Sequence, residues 1–416
     1  MVYPMSTNLT TISNILKDQY LPALKNQITT APSPFMEMIK KVPLTTGGKI
    51  TAVAPFGING GFGFGSDGTG VPSSGPRSYK RFEVEPVDMY VDIRISDKTA
   101  KLAGNAGALI SALDDEVIGS YEAARWNVSR ALFGDGSGRL CGLTGGITIS
   151  ETDKTATVPV DSTAALIEGL TVDLFYYPSV ASASANLIEE NKSLRILSID
   201  RENKIVTLDS AADVMAVSNS LDNNLYGFLC VQGSYNKELT GLKAIFDSSV
   251  PTLYGYEKSK NPSIVPLAVD AGHALTDTVV YDAVKKAMDY RNSRINLVMM
   301  GDKAFRAYQA YMRTNNHTVC EKAEFVGGAT GYKVMVGSQT VTVVNEKLVP
   351  ESEAWCVDTD AFSFVHLDFD FCDFGSTGIF RLEPGTSYYR ALLASYGNLI
   401  CKNPGGCVKI TNCSEA

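Results

Sequence analysis

Apolar residues along this chain fall into three rhythms, and each predicts a different element. Between residues 1 and 47, Ile12, Ile15, Leu16, Tyr20 and Leu24 share one helical face, bent by Pro22. That narrow stripe predicts an arm with little core of its own. From residue 48 to 96 the rhythm becomes alternation. "KITAVAPFGI" is followed, after a gap, by Phe82 and Val84, then by Val87, Met89, Val91, Ile93 and Ile95, with Pro86 shifting the phase. The pattern predicts a long hairpin whose tip is "GGFGFGSDGTG", residues 60–70. In the third rhythm Leu102, Ala106, Leu109, Ile110, Leu113, Val117, Tyr121, Ala124, Val128 and Leu132 recur at helical spacing. A helix over 97–133, stopped by Gly134, would be roughly 50 Å long and act as a strut. Gly104, Gly107 and Gly119 predict bending or close packing along it.

Short apolar runs separated by polar turns follow at 155–240: "LTVDLFYYP", "LRILSI", "KIVTL" and "NLYGFLCVQGSY". They predict an all-β insertion, with "DREN" closing a hairpin between Ile199 and Lys204. From 241 to 330 the pattern turns α/β. Thr276 opens a helix bearing Val279, Val280, Ala283, Val284, Ala287 and Met288; "INLVMMG" reads as a buried strand and "DKAFRAYQAYMRTNN" as a second helix. Residues 331–416 are mostly strands, among them "AWCVDTDAFSFVHLDFDF" and "YYRALLASYGNLICK". No internal repeat and no low-complexity linker interrupts this order.

Composition narrows the class. The chain has 416 residues, 44% hydrophobic and 20% charged, which is globular usage and too long for one ordinary core. No apolar run reaches membrane-span length, and the first residues lack the basic-then-apolar pattern of a signal peptide, so a cytoplasmic product is expected. A net charge of −8 argues against a nucleic-acid grip, though not against a wall that encloses DNA without holding it. The 8 cysteines form no C-x-x-C pair, and Cys401, Cys407 and Cys413, at equal steps, are expected to be free, buried thiols.

Candidate chemistry is sparse. Gly63, Gly65 and Gly68 spell the G-x-G-x-x-G dinucleotide fingerprint, but that loop works only between a strand and a helix N-terminus. Here Pro72, Gly75 and Pro76 forbid a helix and a strand follows. "GDGSG" at 134–138 lacks the acidic ligands of a calcium loop and reads as tight turns after a helix stop. His366, Asp368, Asp370 and Cys372 would share one face of a continuous strand, with Leu367, Phe369 and Phe371 inside. That ligand set mixes hard and soft donors, so no metal, cofactor or catalytic residue is assigned.

The order of parts completes the picture. The runs "RALFGDGSG" (130–138), "GSY" to "GLKAI" (233–245) and "NLVMMGDKAFRAYQAYM" (296–312), in this sequence of elements, resemble the major capsid proteins of tailed bacteriophages. The resemblance implies an α+β, Hong Kong 97-type capsid fold: N-terminal arm (1–47), extended β-hairpin loop (48–96), long spine helix and start of the peripheral domain (97–154), β-rich insertion (155–240), axial α/β domain (241–330), and remaining axial and peripheral strands (331–416). It further implies a virion subunit assembled in the bacterial cytoplasm, as hexamers and pentamers in an icosahedral shell around double-stranded DNA. Phe62, Phe64, Gly65, Lys80, Arg81, Ile15 and Tyr20 would be assembly contacts. Since residue 1 opens directly on arm-like sequence, an uncleaved subunit with a separate scaffold protein is expected, alongside portal and decoration partners. An encapsulin-type nanocompartment shell is the alternative on the same fold; a nucleotide- or metal-dependent enzyme is the alternative of another class.

Overall fold

The computed structural model describes residues 33–45, 48–56, 61–64, 67, 75, 77–97, 106–150, 152–177, 187, 191–209, 227–314, 321–325, 330–337, 339–372 and 381–414. The chain divides into two compact units, one made of Met1–Leu132 with Ile245–Ala416 and the other of Phe133–Ala244.

The first unit begins with α1 (Pro34–Met38), a single turn with proline at its start. Phe35 and Met36 are fully buried, and Phe35 meets Phe362 edge-on at 5.2 Å. β1 (Lys40–Pro43) follows directly. Residues 33–43 are therefore built into the body, although 1–47 was expected to have little core of its own. β2 (Ile50–Phe56) and β3 (Ser78–Val84) pair antiparallel, with Ile50 opposite Val84 and Phe56 opposite Ser78. β4 (Val87–Ser96) does not continue that hairpin; it pairs with residues 388–397 in a different sheet. The stretch expected to be one hairpin over 48–96 thus splits at Pro86, which removes a donor where the chain changes sheets. α2 (Ala106–Ala131) runs for 26 described residues, and 98–105, in the first part of the helix expected over 97–133, lie outside the described residues. Val117, Tyr121 and Val128 line its buried face, and Leu132, just past its end, is buried as well. Among the described residues, nothing lies within 4 Å of where a Gly119 Cβ would sit.

The second unit is a seven-stranded antiparallel sheet in the order β5-β11-β8-β9-β10-β7-β6. Its strands are β5 (Arg139–Gly142), β6 (Thr148–Ser150), β7 (Thr155–Pro159), β8 (Thr171–Tyr176), β9 (Leu194–Asp200), β10 (Ile205–Asp209) and β11 (Gly227–Val231). A bridge from Leu143 to Val160 links the chain after β5 to the chain after β7, so the sheet curls back on itself. Val158, Val172, Leu174, Ile196, Val206, Leu208 and Leu229 fill the interior. The β9–β10 turn has Asp200 accepting from the Glu202 and Asn203 amides and Lys204 at φ 55°. β5 and β6 lie upstream of residue 155, so this β unit starts earlier than the expected insertion.

The chain passes from the second unit to the first within α3 (Leu242–Phe246) and goes on to form the short pair β12 (Thr252–Leu253) and β13 (Tyr256–Glu257), then β14 (Leu267–Ala274), α4 (Asp277–Arg291), β15 (Leu297–Met300), α5 (Asp302–Thr314), β16 (Glu321–Glu324), β17 (Thr330–Val336), β18 (Gln339–Asn345), β19 (Ala354–Val357), β20 (Phe362–His366), β21 (Asp370–Phe371), β22 (Arg381–Leu382), β23 (Tyr388–Cys401) and β24 (Val408–Ser414). One sheet is seven-stranded, ordered β14-β24-β19-β15-β18-β17-β16. Its central β15 is buried throughout, as expected of a strand paired on both sides. α4 and α5 bury Val280, Ala283, Val284, Ala287, Ala304, Ala307 and Tyr308 against Val298, Met300, Val341, Val343, Cys356 and Ile410. Thr276 caps α4 by accepting from the Val279 amide, and Asn292 ends it at φ 47°. The other sheet has six strands centred on β23, with β4 on one edge and β20, β21 and β22 on the other; β1 adds parallel to β20. Strands from beyond residue 330 therefore serve both sheets.

Gly301 marks a tight point after β15. A Cβ there would stand 2.0 Å from the Pro350 carbonyl oxygen. Gly301→Ala should destabilise the first unit by at least roughly 1–3 kcal/mol, seen as a lower denaturant midpoint in tryptophan fluorescence. An unchanged midpoint would refute this reading of the packing.

Candidate assembly surfaces

No group of three or more His, Cys, Asp or Glu side chains among the described residues converges closely enough to hold a metal. The His366 face is dispersed because the strand stops. β20 ends at His366 and β21 starts only at Asp370. His366 is buried against Phe364, ring centroids 4.7 Å apart, with Nδ1 3.1 Å from the Leu367 carbonyl. Asp368 points to solvent 3.9 Å away, Asp370 accepts from the Phe371 amide, and Cys372 is half-buried. Leu367, expected inside, is exposed, while Phe369 and Phe371 are buried as expected.

The "GDGSG" turn is mated to the other quoted run of the same unit. Asp135 Oδ1 accepts from both the amide and the hydroxyl of Ser137, and Lys243 Nζ lies 3.6 Å from Asp135 Oδ2. The Asn236 amide donates to the Ser137 carbonyl and the Glu238 amide to that of Gly136. Gly138, at φ 77°, could not bear a side chain: its Cβ would lie 2.6 Å from the Ser234 carbonyl oxygen.

The glycine-rich stretch lies between two antiparallel strands, β2 and β3, so the next described element after it is a strand and not a helix. Of the residues expected to make assembly contacts, Gly65, Ile15 and Tyr20 lie outside the described residues. Phe62 and Phe64 are 82% and 97% exposed and touch each other edge-to-face at 5.3 Å. Two bare phenyl rings side by side form an exposed apolar patch. Arg81 lies on the outer ribbon face, where its Nε is 2.9 Å from Glu83, and Lys49 bridges Glu83 and Glu85 at 3.7 and 3.8 Å. Val53 and Tyr79 complete this exposed face. Lys80 is on the opposite face, with Phe82.

That inner face is anchored, although the sequence offered no obvious partner for it. Ile50, Ala52, Ala54 and Phe82 are buried, and Phe82 wedges between Tyr254 and Tyr256, at 5.7 and 5.8 Å. The small alanines let the ribbon come close. The chain ahead of β1 is tied down too: the Ser33 hydroxyl donates to the buried Glu346 carboxylate at 3.2 Å.

No protein-family profile and no curated protein sequence matches this chain. Among solved structures, the capsid asymmetric unit of cyanophage A-1(L) superposes with a TM-score of 0.50 at 10% identity, covering 93% of this chain and 94% of that one. The capsid of a native GTA particle gives 0.44 at 8% identity over 93% and 91%, and the holo-SrpI encapsulin complex of Synechococcus elongatus PCC 7942 gives 0.40 at 8% identity over 92% and 89%. By the first of these comparisons the chain has the fold of a phage major capsid protein.

Burial raises the Glu346 carboxyl above its ordinary 4.5, against the lowering effect of the Leu348 amide, Ser33 and Lys347. A raised folded value means that its contribution to stability is complete below 4.5 and is lost as pH rises through the folded value. Glu346→Gln, which keeps an acceptor for Ser33, should raise the Tm at pH 7, with the gain disappearing below pH 4.5; equal Tm values at pH 7 would contradict this.

Cys141, Cys230, Cys356, Cys401, Cys407 and Cys413 are buried. Burial pushes the Cys401 thiol well up and that of Cys413 up to about 12. A thiol reagent at pH 8 should leave all six unlabelled until the chain is unfolded, read by mass spectrometry.

Proposed function

We propose that this chain is the major capsid protein of a tailed bacteriophage, with the Hong Kong 97-type fold, assembling as hexamers and pentamers into an icosahedral shell that encloses double-stranded DNA. One observation supports this above the rest: a capsid-subunit fold matched over 93% of the chain, from which a ribbon tipped with two solvent-exposed phenylalanines extends. On this reading β2 and β3 are the extended loop, α2 is the spine helix, the β5–β11 unit is the insertion, and the sheet carrying α4 and α5 is the axial domain. The subunit binds no cofactor and performs no catalysis. It works by geometry: each tip covers its phenyl rings on a neighbouring copy, the same contact repeats around a ring, and the rings close.

The energetics suit assembly from soluble subunits. Burying one phenylalanine side chain yields roughly 1.5–3 kcal/mol, too little to hold two copies together but sufficient when every subunit gives and receives several such contacts. The net charge of −8 keeps the inner wall from gripping the DNA that must move past it. A separate scaffold protein, a portal and a decoration protein are the partners this function calls for, and the host cytoplasm is its site of assembly.

Electron microscopy of the expressed protein tests the proposal: closed icosahedral particles support it, and a lasting monomer under all assembly conditions overturns it. Shells filled with an enzyme cargo instead of DNA would indicate a nanocompartment. Phe62→Ser with Phe64→Ser, or deletion of residues 60–70, should change subunit stability by less than about 0.5 kcal/mol while abolishing closed shells. Normal particles from the deletion variant would refute the role of the tip.

A further inference from the structure

The ribbon of β2 and β3 meets the body through two contacts of opposite character. Phe82 is fully buried between Tyr254 and Tyr256, an apolar pivot that cannot leave without exposing its ring. Beside it, half-buried Lys80 extends its ammonium over the Tyr256 ring at 5.6 Å and donates to Asn261 Oδ1 at 3.0 Å and Ser263 Oγ at 2.9 Å. The platform that receives it is fixed. Tyr254 Oη accepts from the Cys401 amide, Asn261 is oriented by donating to the Glu257 carbonyl, and Arg291 holds the Pro262 carbonyl. Gly405 is pressed so closely to Ser263 that a Cβ there would stand 2.0 Å from its carbonyl oxygen.

We infer that Lys80 is a releasable latch that sets the angle of the ribbon about the Phe82 pivot. Asn261 and Ser263 are neutral acceptors, and water replaces either at little cost once the side chain swings away. The apolar wedge has no such exchange available. Rotation of the ribbon therefore breaks the polar contact first and leaves the aromatic one intact. The latch is argued from these contacts and does not need the capsid reading. Its use, presenting the tip at the angle a neighbouring copy requires, rests on the capsid reading.

Hydrogen exchange on the unassembled full-length chain separates the two. In Lys80→Met, amides of 50–56 and 78–84 should exchange about tenfold faster, the scale set by one charge-assisted hydrogen bond, while those of 297–300 stay unchanged. Asn261→Ala with Ser263→Ala should reproduce the effect, and Lys80→Arg should restore part of the protection. Unchanged ribbon exchange in Lys80→Met, or acceleration spread equally over 297–300, would overturn the latch. Shell formation is scored in parallel by electron microscopy. A wild-type chain that never forms shells defeats the capsid reading and leaves the exchange result standing. Shells with normal yield and geometry from Lys80→Met, despite faster ribbon exchange, would overturn the assembly role of the latch.

Discussion

The first unit depends on the backbone of one strand. β23 is 14 residues long, and its amides and carbonyls must find partners on both edges because residues 391, 393–395 and 397–401 are buried. β4 satisfies one edge from Tyr388 to Gly397; β22, β21 and β20 satisfy the other in turn. The requirement brings segments from near residues 90, 365 and 40 into one sheet. Gly397 shows how tightly they meet, since a Cβ would lie 2.5 Å from the Val365 carbonyl oxygen. β4 and β1 both take their positions from β23 or its neighbour β20.

Elements whose identity is local could be read directly from the sequence. Thr276 and the apolar spacing after it give α4, the uninterrupted run at 297–300 gives β15, and the turn after Asp200 gives the β9–β10 hairpin. Where the reading fell short, the deciding fact was non-local. The phase shift at Pro86 is visible in the residues, yet nothing near it says that β4 pairs with a segment three hundred positions away. Residues 33–43 read as part of an arm because the cover for Phe35 comes from Phe362. His366 and Asp368 alternate as in a strand, but the Leu367 carbonyl is turned toward Ser395, and the strand ends there.

The candidate surfaces divide the same way. The exposure of Phe62 and Phe64 follows from flanking glycines and the lack of any apolar partner nearby in sequence. The seat of the inner ribbon face did not, because Tyr254 and Tyr256 lie in a stretch with no periodicity to mark it. The mating of residues 134–138 with 233–240 was likewise hidden as geometry, though both runs stood out as residues. It is built from backbone hydrogen bonds and a glycine at positive φ, which leave a trace only in glycine and aspartate usage.

A two-stranded ribbon leaves the outer edge of each strand without a β partner, and β2 and β3 pair with no other described strand. Such edges are templates for indiscriminate strand addition and hence for amorphous precipitation. Here Pro55 removes a donor from β2, while Lys49, Arg81, Glu83 and Glu85 line the root with charges of both signs. The chain thus has a built-in safeguard against sticking through its edges.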